Sequence, residues 1–111
     1  MKFLCLAYGD EAGWNSLTEA GKRDVLAADQ AIRDRGNLMA AVRPQVRTVS
    51  HRDGNLVVSE EPYARHDLPL AGFSVIEAAS VEEVIGLVSA TPCARARGYV
   101  EIRPFWDTET P

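Results

Sequence analysis

Chemistry in this 111-residue chain would have to come from its two histidines and from a few carboxylates, arginines and tyrosines. His66 and Asp67 are the most chemical-looking neighbours, because an imidazole titrates near neutral pH and a carboxylate can fix its tautomer. Adjacent side chains often diverge, however, and the flanking Pro62 and Pro69 mark an exposed loop. A solvated histidine is therefore the plainer account, and His51 beside Arg52 reads as surface. Glu77, Glu101 and Arg103 fall on expected strands facing a cleft, where burial and mutual pairing shift proton affinities. Structural ion pairs would leave the same residues. Arg43 and Arg95 could add an anion pocket to that cleft by bidentate contact with a carboxylate, or stand exposed as arginines usually do. Tyr8, Tyr63, Phe73 and Tyr99 could wall a ligand pocket, although packing in a core or interface accounts for them as well. The catalytic candidates are thus His66, Asp67, Glu77 and Glu101, and the ligand-binding candidates are Arg43, Arg95, Tyr99 and Arg103.

Several classes of function are disfavoured. A net charge of −4 argues against nucleic acid as the main partner, since phosphate binding needs clustered lysine and arginine. Cys5 and Cys93 lack CxxC spacing or nearby histidines, so two unpaired thiols in a reducing compartment are expected rather than a disulfide or a metal site. The apolar run Phe3 to Tyr8 is far short of the roughly 18 residues of a membrane helix and has no signal-peptide pattern, which makes the cytoplasm the default address. No phosphate loop, nucleotide fingerprint or Ser-His-Asp order is present, and no cofactor is expected.

The elements that must position these residues follow from periodicity. Lys2 to Tyr8 reads as a strand with both faces apolar, a central strand covered on each side, and Gly9 to Asn15 breaks it. Ser16 and Glu19 have capping-box spacing ahead of a helix running to about Arg35, with Leu17, Gly21, Val25, Ala28 and Ile32 as its buried stripe and Gly36 as its stop. Leu38 to Val42 is a short strand whose closing Pro44 suits an edge. Val46 to His51 and Leu56 to Ser59 flank Asp53-Gly54 and predict a protruding hairpin with a tight turn. Glu60 to Leu70 is an irregular surface loop. Gly72 to Ala78 is a strand. Ser80 and Glu83 cap a second helix with an apolar face of Val81, Val84, Ile85 and Val88, Cys93 falls in a loop, and Tyr99 to Arg103 alternates as a strand.

Without the hairpin the order is βαββαβ, which predicts an α+β, ferredoxin-like antiparallel sheet with both helices on one face. Residues 1–105 form one domain and 106–111 a tail. If Val100 and Ile102 point to the helices, then Tyr99, Glu101, Arg103, Phe73, Val75 and Glu77 share the other face. An apolar surface of that size predicts burial against a second copy, with Trp14 or Trp106 at the seam.

Several segments together resemble the DGPF subgroup of YCII-related proteins. The stretch PCARARGYVEIRP matches its C-terminal signature at Pro92, Ala94, Arg95, Gly98, Val100, Glu101, Arg103 and Pro104, and the opening KFLCLAYGDEA is also similar. The segment SEEPYARHDLPLAGF is similar to the subgroup's Asp-Gly-Pro-Phe element at Pro62, Tyr63, Ala64, Leu70, Gly72 and Phe73, but Glu60 and Glu61 replace the Asp-Gly, and Arg65, His66, Asp67 and Leu68 replace the polar run. The resemblance implies a ferredoxin-like domain pairing as a dimeric α/β barrel. It transfers no active site. The wider family's histidine belongs on the first helix, where this chain has none, and its aspartate precedes the last-loop proline, where this chain has Thr91. Three functions are therefore expected in descending order: a cytoplasmic homodimer binding a small polar or anionic organic molecule in a cleft; an isomerase or lyase acting by proton abstraction on a lactone-like or aromatic acid, on fold analogy alone; and a regulatory module using the hairpin and acidic loop for contact.

Overall fold

Four strands whose side chains alternate between two environments make the main layer of the molecule. In the computed structural model, which describes residues 1–106, β1 (Lys2–Tyr8), β2 (Leu38–Ala41), β5 (Leu70–Glu77) and β6 (Tyr99–Pro104) form a sheet in the order β2-β5-β1-β6. Every neighbouring pair is antiparallel. The helices are α1 (Glu11–Asn15), α2 (Glu19–Asp34), α3 (Val81–Val88) and α4 (Pro92–Arg95). Strands β3 (Thr48–Ser50) and β4 (Val57–Ser59) pair only with each other. The chain is thus α+β with antiparallel sheets, compatible with a ferredoxin-like fold. Of the expected tail 106–111, residues 107–111 lie outside the described residues.

The period of two sorts each strand. Phe3 and Cys5 of β1 and Ile76 of β5 pack with Ile32 of α2 and Val84 and Val88 of α3, and Met39, Val100 and Ile102 close against this core. Residues of opposite parity face away from the helices. Cross-strand register groups Leu4 with Val75 and Arg103, Leu6 with Phe73 and Glu101, Tyr8 with Tyr99, and Leu38 with Val75. Leu4, Leu6, Phe73 and Val75 are half-buried, while Leu38 and Tyr99 are exposed. Strand β1 is therefore central, but only one of its apolar faces is covered by the chain's own helices.

Local details depart from the sequence-based expectation where short polar side chains had a choice of partners. The stretch expected only to break β1 contains α1, started by the Asp10 carboxylate accepting from the Gly13 amide at 2.9 Å. Ser16 closes that helix, and the cap of α2 is Thr18, whose hydroxyl accepts from the Gly21 amide at 3.0 Å. Ser80 caps α3 as expected, but the Glu83 carboxylate reaches the amide of Ala79 at 3.3 Å rather than that of Ser80 itself. The buried stripe of α3 is narrower than its spacing implies. Val84 and Val88 are buried, whereas Val81 and Ile85 flank the stripe and are exposed. Cys93, expected in a loop, sits in α4 behind a helix-starting proline. The hairpin exists, with Gly54 at φ +79°, but residues 51–56 form a longer connection than a tight two-residue turn.

Candidate functional site

One end of the open sheet face gathers most of the chemistry-bearing side chains. Tyr8 ends β1 opposite Tyr99, the first residue of β6. Gly98 makes that meeting feasible, because a Cβ there would run into the Tyr8 carbonyl oxygen and lie 2.7 Å from that of Cys93. From the 60–69 loop His66 leans over Tyr8, with ring centroids 4.8 Å apart and planes tilted by 49°. Next along β6, the Arg103 guanidinium donates to both carboxylate oxygens of Glu101, at 3.2 Å each. The hydrogen bonds to Glu101, and then its charge, raise the proton affinity of the Arg103 guanidinium above its ordinary value.

Two hollows flank the Tyr8–His66 contact. The smaller, about 380 Å³, lies between Tyr8, Tyr99 and Glu101 on the sheet and Arg65, His66 and Asp67 on the loop. The larger, about 760 Å³, runs between the loop and the segment leading from β2 into the hairpin, with Arg43, Arg47, Glu60, Tyr63, His66 and Asp67 on its walls. Arg47 is 3.5 Å from Glu60. Arg43 and Arg65 have no carboxylate within salt-bridge distance among the described residues. The walls of this groove thus carry two guanidiniums, Arg43 and Arg47, and two carboxylates, Glu60 and Asp67, beside the side chains of Tyr8 and Tyr63.

The structure therefore brings together His66, Asp67, Glu101, Tyr99 and Arg103, with Arg43 in the adjoining groove. Two of the residues expected in the same cleft are elsewhere. Glu77 pairs with Lys2 at the far end of β1 and β5, about 20 Å from Tyr8 at the rise of an extended strand, and binds the N-terminal ammonium at 3.0 Å. It shares the face but not the site. Arg95 is exposed at the end of α4, which packs on α1, α2, β1 and β6, and lines neither hollow. Residue type and strand parity pointed to these two, but parity specifies a face and not a position along it.

Arg47, read as part of a hairpin strand, and Arg65, in the irregular loop, are not among the expected site residues, although they stand on the walls of the larger and the smaller hollow respectively. Sequence reasoning also missed a cleft of about 150 Å³ on the helix side, where Asp29 and Arg33 of α2 meet Cys5, Ser74, Thr91 and Cys93. Burial pushes the Asp29 carboxyl upward, opposed by Arg33. The Cys93 thiol is pushed up by burial and then by Asp29, and that of Cys5 by burial, partly offset by its hydrogen bond with Ser74. Both thiols are free and stay protonated near neutral pH, which suits packing rather than nucleophilic attack. No group of three or more His, Cys, Asp or Glu side chains able to hold a metal occurs among the described residues. No helix among them is long and apolar enough to cross a membrane.

No curated protein matches the chain. Among solved structures it is similar to 5-chloro-2-hydroxyhydroquinone dehydrochlorinase from Burkholderia phenoliruptrix, in complex with 2,5-dihydroxybenzoquinone, at 14% identity, over 98% of this chain and 97% of that one, with a TM-score of 0.49. The YCII-related domain matches residues 1–109. A match over almost the entire length carries its own conclusion: this chain belongs to the YCII-related family.

Proposed function

We propose that this YCII-related protein, of the DGPF type with an altered central element, is a cytoplasmic homodimer that binds a small organic anion in the groove between the 60–69 loop and the hairpin base. The observation that carries the binding is Arg43, a guanidinium on the wall of a groove of about 760 Å³ with no carboxylate partner among the described residues. The neighbouring rings of Tyr8 and His66 line the same groove, so the ligand expected is a planar or aromatic carboxylate. The dimer is supported by the open sheet face, where Leu4, Leu6, Phe73 and Val75 form an apolar centre that the helices leave uncovered. Tyr8 belongs both to that face and to the groove wall, so a second copy over the face would also close one side of the ligand chamber. Two free thiols fit a reducing compartment. The chain's own residues favour binding over proton abstraction: His66 is exposed, and Glu77 and Glu101 are each held in an ion pair.

Calorimetric titration with benzoate and with uncharged benzamide tests the binding. Benzoate is expected to bind more tightly, and Arg43→Gln to remove about tenfold or more of that preference, the value of one charge-assisted hydrogen bond. Equal affinity for the two compounds, or an unchanged preference in the variant, would contradict it.

A further inference from the structure

The helical spacing that buries α2 also draws a charge inward. Val25 and Ile32 carry its buried stripe, and Asp29, four residues after the first and three before the second, falls on the same stripe. Asp29 is half-buried, and its carboxylate has neither a hydrogen bond nor an ion pair among the described residues. A carboxylate withdrawn from water without a partner is costly. Burial raises its proton affinity, and Arg33 offsets this only in part. Arg33 stands one turn further on, at the spacing where helical ion pairs form, yet the two make none. Both instead line the cleft of about 150 Å³ between α2 and the sheet, with the exposed Arg33 at its mouth.

The cleft exists because small residues wall it. Ala7, Ala40, Ala41 and Ala71 are too short to fill the space beneath the helix, and Met39 and Val88 complete an apolar lining. Its hydroxyls are spent within the chain: Thr91 donates to the Val88 carbonyl at 2.6 Å, and Ser74 hydrogen-bonds with Cys5. Protein interiors leave few gaps larger than a water molecule, and a cavity of this volume holds one benzene ring. We propose that the cleft binds a single-ring phenol, the ring against the apolar walls and the hydroxyl between Asp29 and Arg33. A hydroxyl is the group this pair selects, because one oxygen both donates to the carboxylate and accepts from the guanidinium. A carboxylate ligand has no proton to give Asp29, and an ammonium ligand has no lone pair for Arg33. The site lies on the helix side of the sheet and shares no residue with the groove of Arg43, so it depends on neither that groove nor a dimer.

Titration of the full chain with phenol and with toluene, which carries a methyl group in place of the hydroxyl, followed by amide NMR shifts, tests the site. Phenol is expected to shift the amides of Cys5, Asp29 and Val88 and to bind about tenfold or more tightly than toluene, the value of a hydrogen bond to a charged group. Asp29→Leu is expected to abolish that preference without lowering the melting temperature, since a half-buried charge leaves an apolar stripe. Arg33→Met, at an exposed position, is expected to weaken phenol binding with the circular dichroism unchanged. Arg43→Gln is expected to leave phenol binding as it is, which separates this site from the groove. Absence of phenol binding, equal affinity for phenol and toluene, or a preference that survives in both Asp29→Leu and Arg33→Met would overturn the proposal. Shifts confined to Tyr63 and His66 would overturn it as well.

Discussion

At the scale of single residues, what a charged side chain does here depends on whether a partner of opposite sign lies within reach. Glu83 is the clearest case. Its carboxylate accepts from the Arg35 guanidinium at 2.6 Å and from the Ala79 amide, and these two hydrogen bonds hold its proton affinity below the ordinary carboxylate value of 4.5. A carboxyl with a depressed folded-state pKa contributes stability that is present above the unfolded value and is lost as pH falls through the folded one. Glu83→Gln is therefore expected to lower the melting temperature near neutral pH, and the gap to the parent to close as pH falls well below 4.5. An equal gap at neutral and acid pH would contradict this ionic role. Glu101 and Arg103 make a similar local pair on β6. Arg43 has no such partner among the described residues, which is why it, and not Arg103, is the group expected to greet a ligand.

At the scale of elements, the long periodic segments were legible and the short ones were not. Strand β1, the body of α2, the cap and core residues of α3, and β6 all follow from alternation or helical spacing, because each offers enough turns or pleats to establish a period. Helices α1 and α4 have five and four residues, too few for a period, and are held instead by Asp10 and by a proline start. The beginning of α2 was misplaced by two residues because Ser16 and Glu19 mimic a capping box, while Thr18 caps through the amide of Gly21 without any acidic partner in the signature. The difference is measurable: Thr18→Ala is expected to cost about 1 kcal/mol of unfolding free energy. Ser16→Ala is expected to cost less, since the Ser16 hydroxyl donates to the Gly13 carbonyl of α1 and caps nothing in α2. Chemical denaturation of the two variants reads this directly, and the reverse order would show that α2 starts where its sequence motif first allows. The site was legible in the same uneven way. Face could be read from parity, which gathered Glu101, Arg103 and Tyr99, but depth along the strand could not, which is why Glu77 stands at the wrong end.

At the scale of the whole molecule, the controlling fact is a four-stranded main sheet that, among the described residues, has helices on one side only. The molecule is 19 Å thick in its thinnest direction, consistent with one layer of helices on one sheet, with no second layer over Leu4, Leu6, Phe73 and Val75. A core cluster of modest size and an uncovered apolar face are the observations on which the proposed association with a second copy rests. In the proposed dimer, Tyr8, at the junction of the face and the groove, would tie that association to the proposed ligand binding. The most direct test is the mass of the protein in solution by multi-angle light scattering at micromolar concentration. Twice the chain mass of 12.1 kDa is predicted, and a particle of 12.1 kDa that persists as the concentration is raised would contradict closure of the sheet face by a second copy.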